Sequence, residues 1–149
     1  MSSFFIDTSA LFKRYQPEQG TDIICRIVED TTQPVFITSI SIIEVISNLK
    51  RLFEIDKVTT EEQFYLQRSF FYKDATEFDI KILDVTSDDM VLAEGLILKR
   101  YMKPVDSIQL AVALNLGLND LIFVSSDKRL NDIARADGLL TLNPEYPQG

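Results

Sequence analysis

Five short apolar segments alternate with longer segments of helical periodicity, and this alternation limits the possible folds more than any other feature. The segments at residues 3–6, 35–38 and 121–124 hold three or four consecutive apolar residues, which is typical of strands buried on both faces of a parallel sheet. Strands that alternate with helices build layered α/β structures. The predicted fold is therefore a three-layer α/β/α sandwich with a mostly parallel central sheet. The predicted strands are Ser3–Ile6, Val35–Thr38, Ile80–Val85, Leu121–Val124 and Leu139–Leu142.

Helices are predicted between these strands, because apolar positions recur there at a helical period. Thr59 or Thr60 is the expected N-cap of the fourth helix, and Gly117 is the expected C-cap of the sixth. Asp74 is interpreted as part of the solvated surface. Sheets of this kind bind ligands at the carboxyl ends of their strands. The predicted helices cover residues 8–15, 19–29, 41–53, 60–72, 87–101, 105–116 and 128–136.

Length and composition favour one domain, residues 1–149, since 46% hydrophobic content supplies a full core. No apolar run reaches membrane-spanning length and no signal pattern opens the chain, so a cytoplasmic protein with no membrane partner is expected. Cys25 is the single cysteine, which excludes an intramolecular disulfide. The sequence contains no histidine, which removes Ser-His-Asp and Cys-His catalysis and almost every catalytic zinc site.

Three aspartates stand where a helix follows a strand or a turn. Asp7 and Asp127 come just after the first and fourth predicted strands, so both are expected at the carboxyl edge of the sheet. Asp106 opens an apolar helix. Each has an ordinary alternative as an N-cap, and Asp106 with Gln109 matches a capping box.

Glu44 fits the capping explanation poorly, because it lies inside a predicted helix. Its ordinary alternative is a solvated helix face. Glu44, Asn48 and Arg51 share one polar stripe at spacings of four and three residues. The stripe is compatible with a groove that binds a metal and a phosphate, and equally with a helix face exposed to water.

Clustered carboxylates repel one another, so a protein keeps such a cluster mainly when a cation is bound. Ligands that are all oxygen select Mg²⁺ or Mn²⁺. The net charge of −8 argues against a generic nucleic-acid binder and fits a carboxylate-rich metal site. A phosphatase of the paired-aspartate kind is disfavoured, because Ser9 stands where its second aspartate would be.

Four segments in order resemble PIN domains, in particular the small VapC-type toxin ribonucleases of prokaryotic type II toxin–antitoxin pairs. The resemblance covers nearly the whole chain, and its segments are 5–11, 41–45, 106–113 and 123–127, with a closing stretch at 138–144. It implies a homodimer that acts as a Mg²⁺- or Mn²⁺-dependent endoribonuclease on an RNA substrate, with an antitoxin protein as partner. The family often has threonine where this chain has Ser125, and the hydroxyl is kept.

By position, the resemblance makes Asp7, Glu44, Asp106 and Asp127 the catalytic acids. Asp7, Asp106 and Asp127 are expected to hold the metal, and Glu44 to complete its shell or orient the attacking water. Ser9 and Ser125 take the supporting hydroxyl positions.

RNA that approaches an acidic pocket needs compensating cations, and several basic residues flank the acids. Ordinary surface charge is the alternative for each of them: Lys13, Arg14, Arg51, Lys103, Lys128 and Arg129. Two alternatives to a toxin remain: a free-standing PIN nuclease in RNA processing, and a non-catalytic PIN module that binds RNA or protein.

Overall fold

A five-stranded sheet forms the centre of the structure, a computed structural model that describes residues 2–148. Its strands are β1 (Ser3–Ile6), β2 (Val35–Thr38), β3 (Lys81–Leu83), β4 (Leu121–Val124) and β5 (Leu140–Leu142). They lie in the order β3-β2-β1-β4-β5, and each neighbouring pair is parallel. The predicted parallel sheet is confirmed, with the third and fifth strands shorter than expected.

Seven α-helices surround the sheet within the described residues. They are α1 (Thr8–Leu11), α2 (Thr21–Glu29), α3 (Ser39–Glu54), α4 (Glu61–Glu77), α5 (Ser87–Lys99), α6 (Pro104–Asn115) and α7 (Lys128–Ala136). The helix predicted over residues 8–15 is split, because α1 passes into a 3-10 turn at Phe12–Arg14. Thr60 caps α4 in a capping box with Gln63, as the sequence predicts.

Two apolar clusters cover opposite faces of the sheet, which confirms the three-layer fold. Consecutive residues of β1 separate between them, since Ile6 packs with α1 to α4 and Phe5 packs with α5 to α7. Phe5 also stacks on Phe123 of β4, with ring centroids 5.7 Å apart. The central strands are thus buried on both faces, which explains their continuous apolar sequences.

The register of the two central strands fixes where the site lies. Ile6, the last residue of β1, is paired with Val124, the last residue of β4. The pairing continues one residue further, since the Asp7 amide donates to the Val124 carbonyl at 3.0 Å. Both strands therefore end at the same level, and the residues that follow them meet at one edge.

No helix within residues 2–148 is both long enough and apolar enough to cross a membrane.

Candidate active site

Asp7 is held at the end of β1 by neutral donors. Its Oδ1 accepts from the Ser9 hydroxyl at 2.8 Å and from the Ala10 amide at 3.0 Å, and its Oδ2 accepts from the Ser125 hydroxyl at 2.7 Å. The Ala10 bond makes Asp7 the N-cap of α1, so the capping alternative is confirmed as a role of this residue. Asp7 is only 5% exposed, so its position is fixed from several directions.

Burial raises the pKa of Asp7 to about 6, and the charge of Asp106 adds to that shift. The hydrogen bonds from Ser125, Ala10 and Ser9 oppose it, because they favour the carboxylate. Desolvation exceeds these bonds. An ionised Asp7 is therefore costly unless a positive charge reaches it.

Asp106 lies inside a helix, so the alternative that it serves as an N-cap is wrong. The helix α6 begins at Pro104 with Lys103 as N-cap, which places Asp106 in the first turn. Burial raises the pKa of Asp106, and the charges of Asp127 and Glu44 raise it further, while Lys103 and Arg129 oppose them. The carboxylates of the site are close enough to repel one another.

Gln109 does not serve as a capping partner but joins a buried polar network. Its Nε2 donates to the Thr8 hydroxyl at 3.2 Å and to the Ser41 hydroxyl at 3.0 Å, and its Oε1 accepts from Thr38 at 3.3 Å. Thr8 in turn donates to Oε1 of Glu44 at 2.5 Å. This network links α1, α3 and α6 and sets the position of Glu44.

Sequence reasoning missed Thr8, Ser41 and Gln109 as parts of the site. A signal for Gln109 was present, because it is a polar residue within the apolar stretch of α6, and it is only 2% exposed. A buried amide needs hydrogen-bond partners, and Gln109 finds them in the hydroxyls of Thr8 and Ser41.

Asp127 is both a cap and a member of the site. Its Oδ1 accepts from the Leu130 amide at 3.1 Å, which makes it the N-cap of α7 as the alternative predicted. Its own amide donates to the Ser125 hydroxyl at 3.1 Å. Ser125 therefore holds Asp7 and Asp127 in fixed relation.

One cavity of about 180 Å³ collects the predicted acids. All four line it, and so do Ser9 and Asn48, whereas Ser125 is fully buried behind Asp7. Arg51 does not reach the cavity, because its side chain is 62% exposed and lies 3.5 Å from Asp56. Of the polar stripe on α3, Glu44 and Asn48 therefore belong to the cavity and Arg51 does not. The lining residues are Asp7, Thr8, Ser9, Glu44, Asn48, Val105, Asp106, Gln109 and Asp127.

The donor atoms of this cavity fit a hard divalent cation, because they are carboxylate, hydroxyl and amide oxygens. Within residues 2–148, no three acidic side chains are grouped tightly enough to hold an ion together. Mg²⁺ is commonly held by one or two carboxylates and keeps several waters. A cavity of about 180 Å³ has room for such a hydrated ion.

Two of the basic residues that the sequence suggests as compensating cations are buried in ion pairs and cannot contact a substrate. Lys13 is 3% exposed and its Nζ lies 3.1 Å from Glu18 and 3.0 Å from Glu145. Arg14 is also buried, and its Nε lies 2.6 Å from Asp74. Both stabilise the fold, so any compensation near the acids comes from elsewhere.

The family model of the PIN domain matches residues 4–136, a range that includes all four acids. This chain belongs to the PIN domain family. No curated protein has a sequence detectably similar to this PIN domain.

Solved structures share its fold across nearly their whole length. A toxin–antitoxin complex from Klebsiella pneumoniae matches with a TM-score of 0.65 at 17% identity, over 96% of this chain and 98% of the other. FitAcB from Neisseria gonorrhoeae matches with a TM-score of 0.66 at 15% identity, over 95% and 97%. VapC20 of Mycobacterium tuberculosis, described as a toxin that cleaves the sarcin–ricin loop, matches with a TM-score of 0.66 at 16% identity, over 93% and 97%. At such identities the likeness concerns the fold.

Proposed function

We propose that this PIN domain, taken as one unit over residues 1–149, is a Mg²⁺- or Mn²⁺-dependent endoribonuclease. One observation carries the proposal: four carboxylates line a single small cavity, and the most buried of them, Asp7, accepts hydrogen bonds from neutral donors alone within residues 2–148. Such an arrangement leaves negative charge to be met by a bound cation. Family membership and a fold shared with a toxin that cleaves the sarcin–ricin loop support the same conclusion.

In this proposal Asp7, Asp106 and Asp127 hold the cation, directly or through water. A bound Mg²⁺ or Mn²⁺ supplies two effects, a lower pKa of a nearby water and stabilisation of charge on the phosphate. The chain's own contribution is to fix the carboxylates. Ser9, Ser125 and the Ala10 amide prevent Asp7 from rotating away from the cavity.

Glu44 is the proposed base. Its Oε1 is engaged by Thr8, which leaves Oε2 to orient a water and take its proton. The water oxygen attacks phosphorus in line, and the bond to the 3′ oxygen breaks as that oxygen gains a proton. The products carry a 5′-phosphate and a 3′-hydroxyl. Asn48, one helical turn from Glu44 and on the same cavity, is placed to donate to a phosphate oxygen.

We further propose that the protein is the toxin of a toxin–antitoxin pair, acts in the cytoplasm as a homodimer, and is inhibited by an antitoxin. Complexes from toxin–antitoxin systems among the structural neighbours support this proposal. Exposed aromatic side chains on α4 support a surface between two copies, since Tyr65 is 54% exposed and Tyr72 is 43% exposed.

The test of the nuclease is cleavage of single-stranded RNA with Mg²⁺ and with EDTA. Wild-type protein is expected to cleave only with Mg²⁺, and Asp106→Asn to lose at least about a hundredfold in rate, the scale expected for groups that stabilise transition-state charge. Asp22→Asn is the matched control, because Asp22 is an exposed acid in the first turn of α2. RNA binding without cleavage would favour a non-catalytic module, and full activity of Asp106→Asn would refute the assignment.

A further inference from the structure

A second, larger cavity lies beside the acidic one at the carboxyl end of β4. Its volume is about 580 Å³. It is lined by Ser126, Lys128, Asn131, Arg135, Asn143 and Tyr146. These residues come from the β4–α7 connection, from α7 and from the segment after β5, and the proposed cleavage step uses none of them.

The two cavities are neighbours in the fold. The Ser126 amide donates to the Ser9 hydroxyl at 3.2 Å, and Ser9 lines the acidic cavity. Asp127, the next residue in the chain, lines the acidic cavity as well. When one monomer of a linear polymer is bound at the acids, the next monomer can therefore reach the second cavity.

The wall of the second cavity contains a buried acceptor that lacks a partner. Asn131 is 3% exposed, and its Nδ2 donates to the Ser125 carbonyl at 2.8 Å. The Asn131 Oδ1 accepts no hydrogen bond from the residues that the structure describes. The buried Ser126 hydroxyl has no hydrogen-bond partner among those residues either. Leaving a buried polar atom unpaired is costly, so an N–H or O–H group of a ligand that reached either atom would remove that cost.

The charge of this lining is the opposite of the charge of the protein. The chain carries a net charge of −8, but the charged residues of the lining are the basic Lys128 and Arg135. Arg135 is held by Thr141 at 2.7 Å and by Asp132. Lys128 is exposed. An anionic ligand is therefore favoured here over a cationic one.

Tyr146 gives the cavity an aromatic face, and the segment that carries it is fixed. The ring is 64% exposed, and the Tyr146 amide donates to the Asn143 carbonyl at 3.0 Å. Next to it, Glu145 lies 3.0 Å from the Lys13 Nζ. Gly20 packs against Pro144 so closely that an added Cβ would lie 2.9 Å from the proline carbonyl carbon.

We propose that this cavity is a nucleotide subsite, which binds the nucleotide next to the scissile phosphate of single-stranded RNA. The base stacks on Tyr146, its edge donates a hydrogen bond to Asn131 Oδ1, and Lys128 lies near the flanking phosphate. An anionic group, an aromatic ring and a hydrogen-bonding edge occur together in a nucleotide, and stacking on aromatic side chains is how single strands are bound. This inference rests on the proposed ribonuclease function for its substrate class.

Binding is tested without cleavage, by fluorescence anisotropy in EDTA with a labelled single-stranded RNA of about a dozen nucleotides, a length that spans such sites. Tyr146→Ala is expected to weaken binding about tenfold, while Tyr146→Phe retains the ring and stays within about twofold of wild type. Lys128→Gln should lower the slope of log Kd against log salt concentration by about 0.7. Tyr146 and Lys128 are exposed, so neither change threatens folding.

Three outcomes would overturn the subsite: no RNA binding by the wild-type protein, an unchanged Kd for Tyr146→Ala, or equally tight binding of a polyglutamate peptide. The last would mean that the cavity is a general cationic patch or takes a peptide. Failure of the subsite and failure of the nuclease are distinguishable. If Tyr146→Ala cleaves RNA with Mg²⁺ at the wild-type KM, the subsite proposal is refuted and the nuclease proposal stands. If RNA binding depends on Tyr146 but no cleavage occurs, the nuclease proposal is refuted and the subsite proposal stands.

Discussion

Two buried aspartates in this protein have opposite surroundings. Asp74 on α4 is 1% exposed and accepts from Arg14 at 2.6 and 2.9 Å and from the Tyr15 hydroxyl at 2.6 Å. Asp7 is 5% exposed, and in the part of the chain that the structure describes it accepts from two hydroxyls and one amide. The first carboxylate is neutralised within the fold, whereas the second is not.

The difference separates a structural acid from one suited to an external cation. Burial raises the pKa of Tyr15, and its hydrogen bond to Asp74 raises it further. Burial lowers the pKa of Arg14, but its hydrogen bonds to Asp74 and Glu29 outweigh that effect and raise it. Burial raises the pKa of Asp7 to about 6, because the hydrogen bonds from its neutral donors offset the loss of solvation only in part. Breaking the first pair should destabilise the protein, and neutralising the second should not.

The largest expected effect is at Asp74. Asp74→Ala leaves the Arg14 guanidinium buried, with Glu29 as its remaining charged partner among the described residues, and removing one partner of a buried pair costs about 3–5 kcal/mol. Urea denaturation measures the loss. Glu77→Ala, at an exposed ion pair with Lys73 on the same helix, is the control and should change the unfolding free energy by under about 1 kcal/mol. Equal effects of the two changes would contradict the contrast.

The next effect concerns the pH dependence of Asp7 in EDTA. Its folded pKa of about 6 exceeds the ordinary value of 3.8, so the folded state binds the proton more tightly. The associated stability is fully present below pH 3.8 and is lost as pH rises through about 6. The loss approaches about 3 kcal/mol, since one pKa unit corresponds to about 1.4 kcal/mol.

Asp7→Asn removes this titration. The unfolding free energy of the variant minus that of the wild type should therefore rise by about 3 kcal/mol between pH 4 and pH 7. Unfolding free energies of both proteins across that range give the difference. Parallel pH profiles would show that Asp7 is not held in the environment described here.

A smaller effect is expected at Thr8, which separates the position of Glu44 from its charge. Thr8→Val keeps the shape but removes the hydroxyl that donates to Glu44, at an expected cost of about 1–2 kcal/mol. RNA cleavage should fall as well, because Glu44 is then free to turn. Thr32→Val is the control, since that hydroxyl bonds to Asp30 in an exposed turn. Unchanged cleavage in Thr8→Val would remove the positioning role.

The smallest effect is expected at Arg51, the residue of the α3 stripe that the cavity excludes. Its exposed contact with Asp56 predicts a change under about 1 kcal/mol for Arg51→Ala, and an unchanged cleavage rate. Asn48→Ala, one helical turn closer to the site, should lower the rate. If Arg51→Ala is the more damaging of the two, the boundary of the site is drawn wrongly.

The sequence predicts the sheet and the edge at which the acids meet, because both follow from local patterns. Apolar runs mark strands buried on both faces, and Asp7 and Asp127 directly follow two of them. The family resemblance placed Glu44 and Asp106 in the same site, and all four acids do line one cavity.

Features that depend on tertiary contacts escaped prediction. Asp106 matched a capping box, yet Pro104 starts the helix earlier and Gln109 turns to Thr8 and Ser41. The local sequence of Asp74 predicts a surface position, because nothing in it indicates that Arg14, sixty residues earlier, pairs with this carboxylate. Spacing along a helix shows which residues share a face, but not what that face contacts.

Stability in Mn²⁺ tests the central claim most directly, namely that the charge of the Asp7 cavity is met by a divalent cation. A ligand that binds only the folded state stabilises a protein by about 2.7 kcal/mol when the ligand concentration is about 100 times Kd. Wild-type protein is expected to show a gain of that order, seen as a rise in Tm, and Asp7→Asn and Asp106→Asn are expected to lose it while remaining folded. No rise in Tm at millimolar Mn²⁺, or the same rise in all three proteins, would contradict the account.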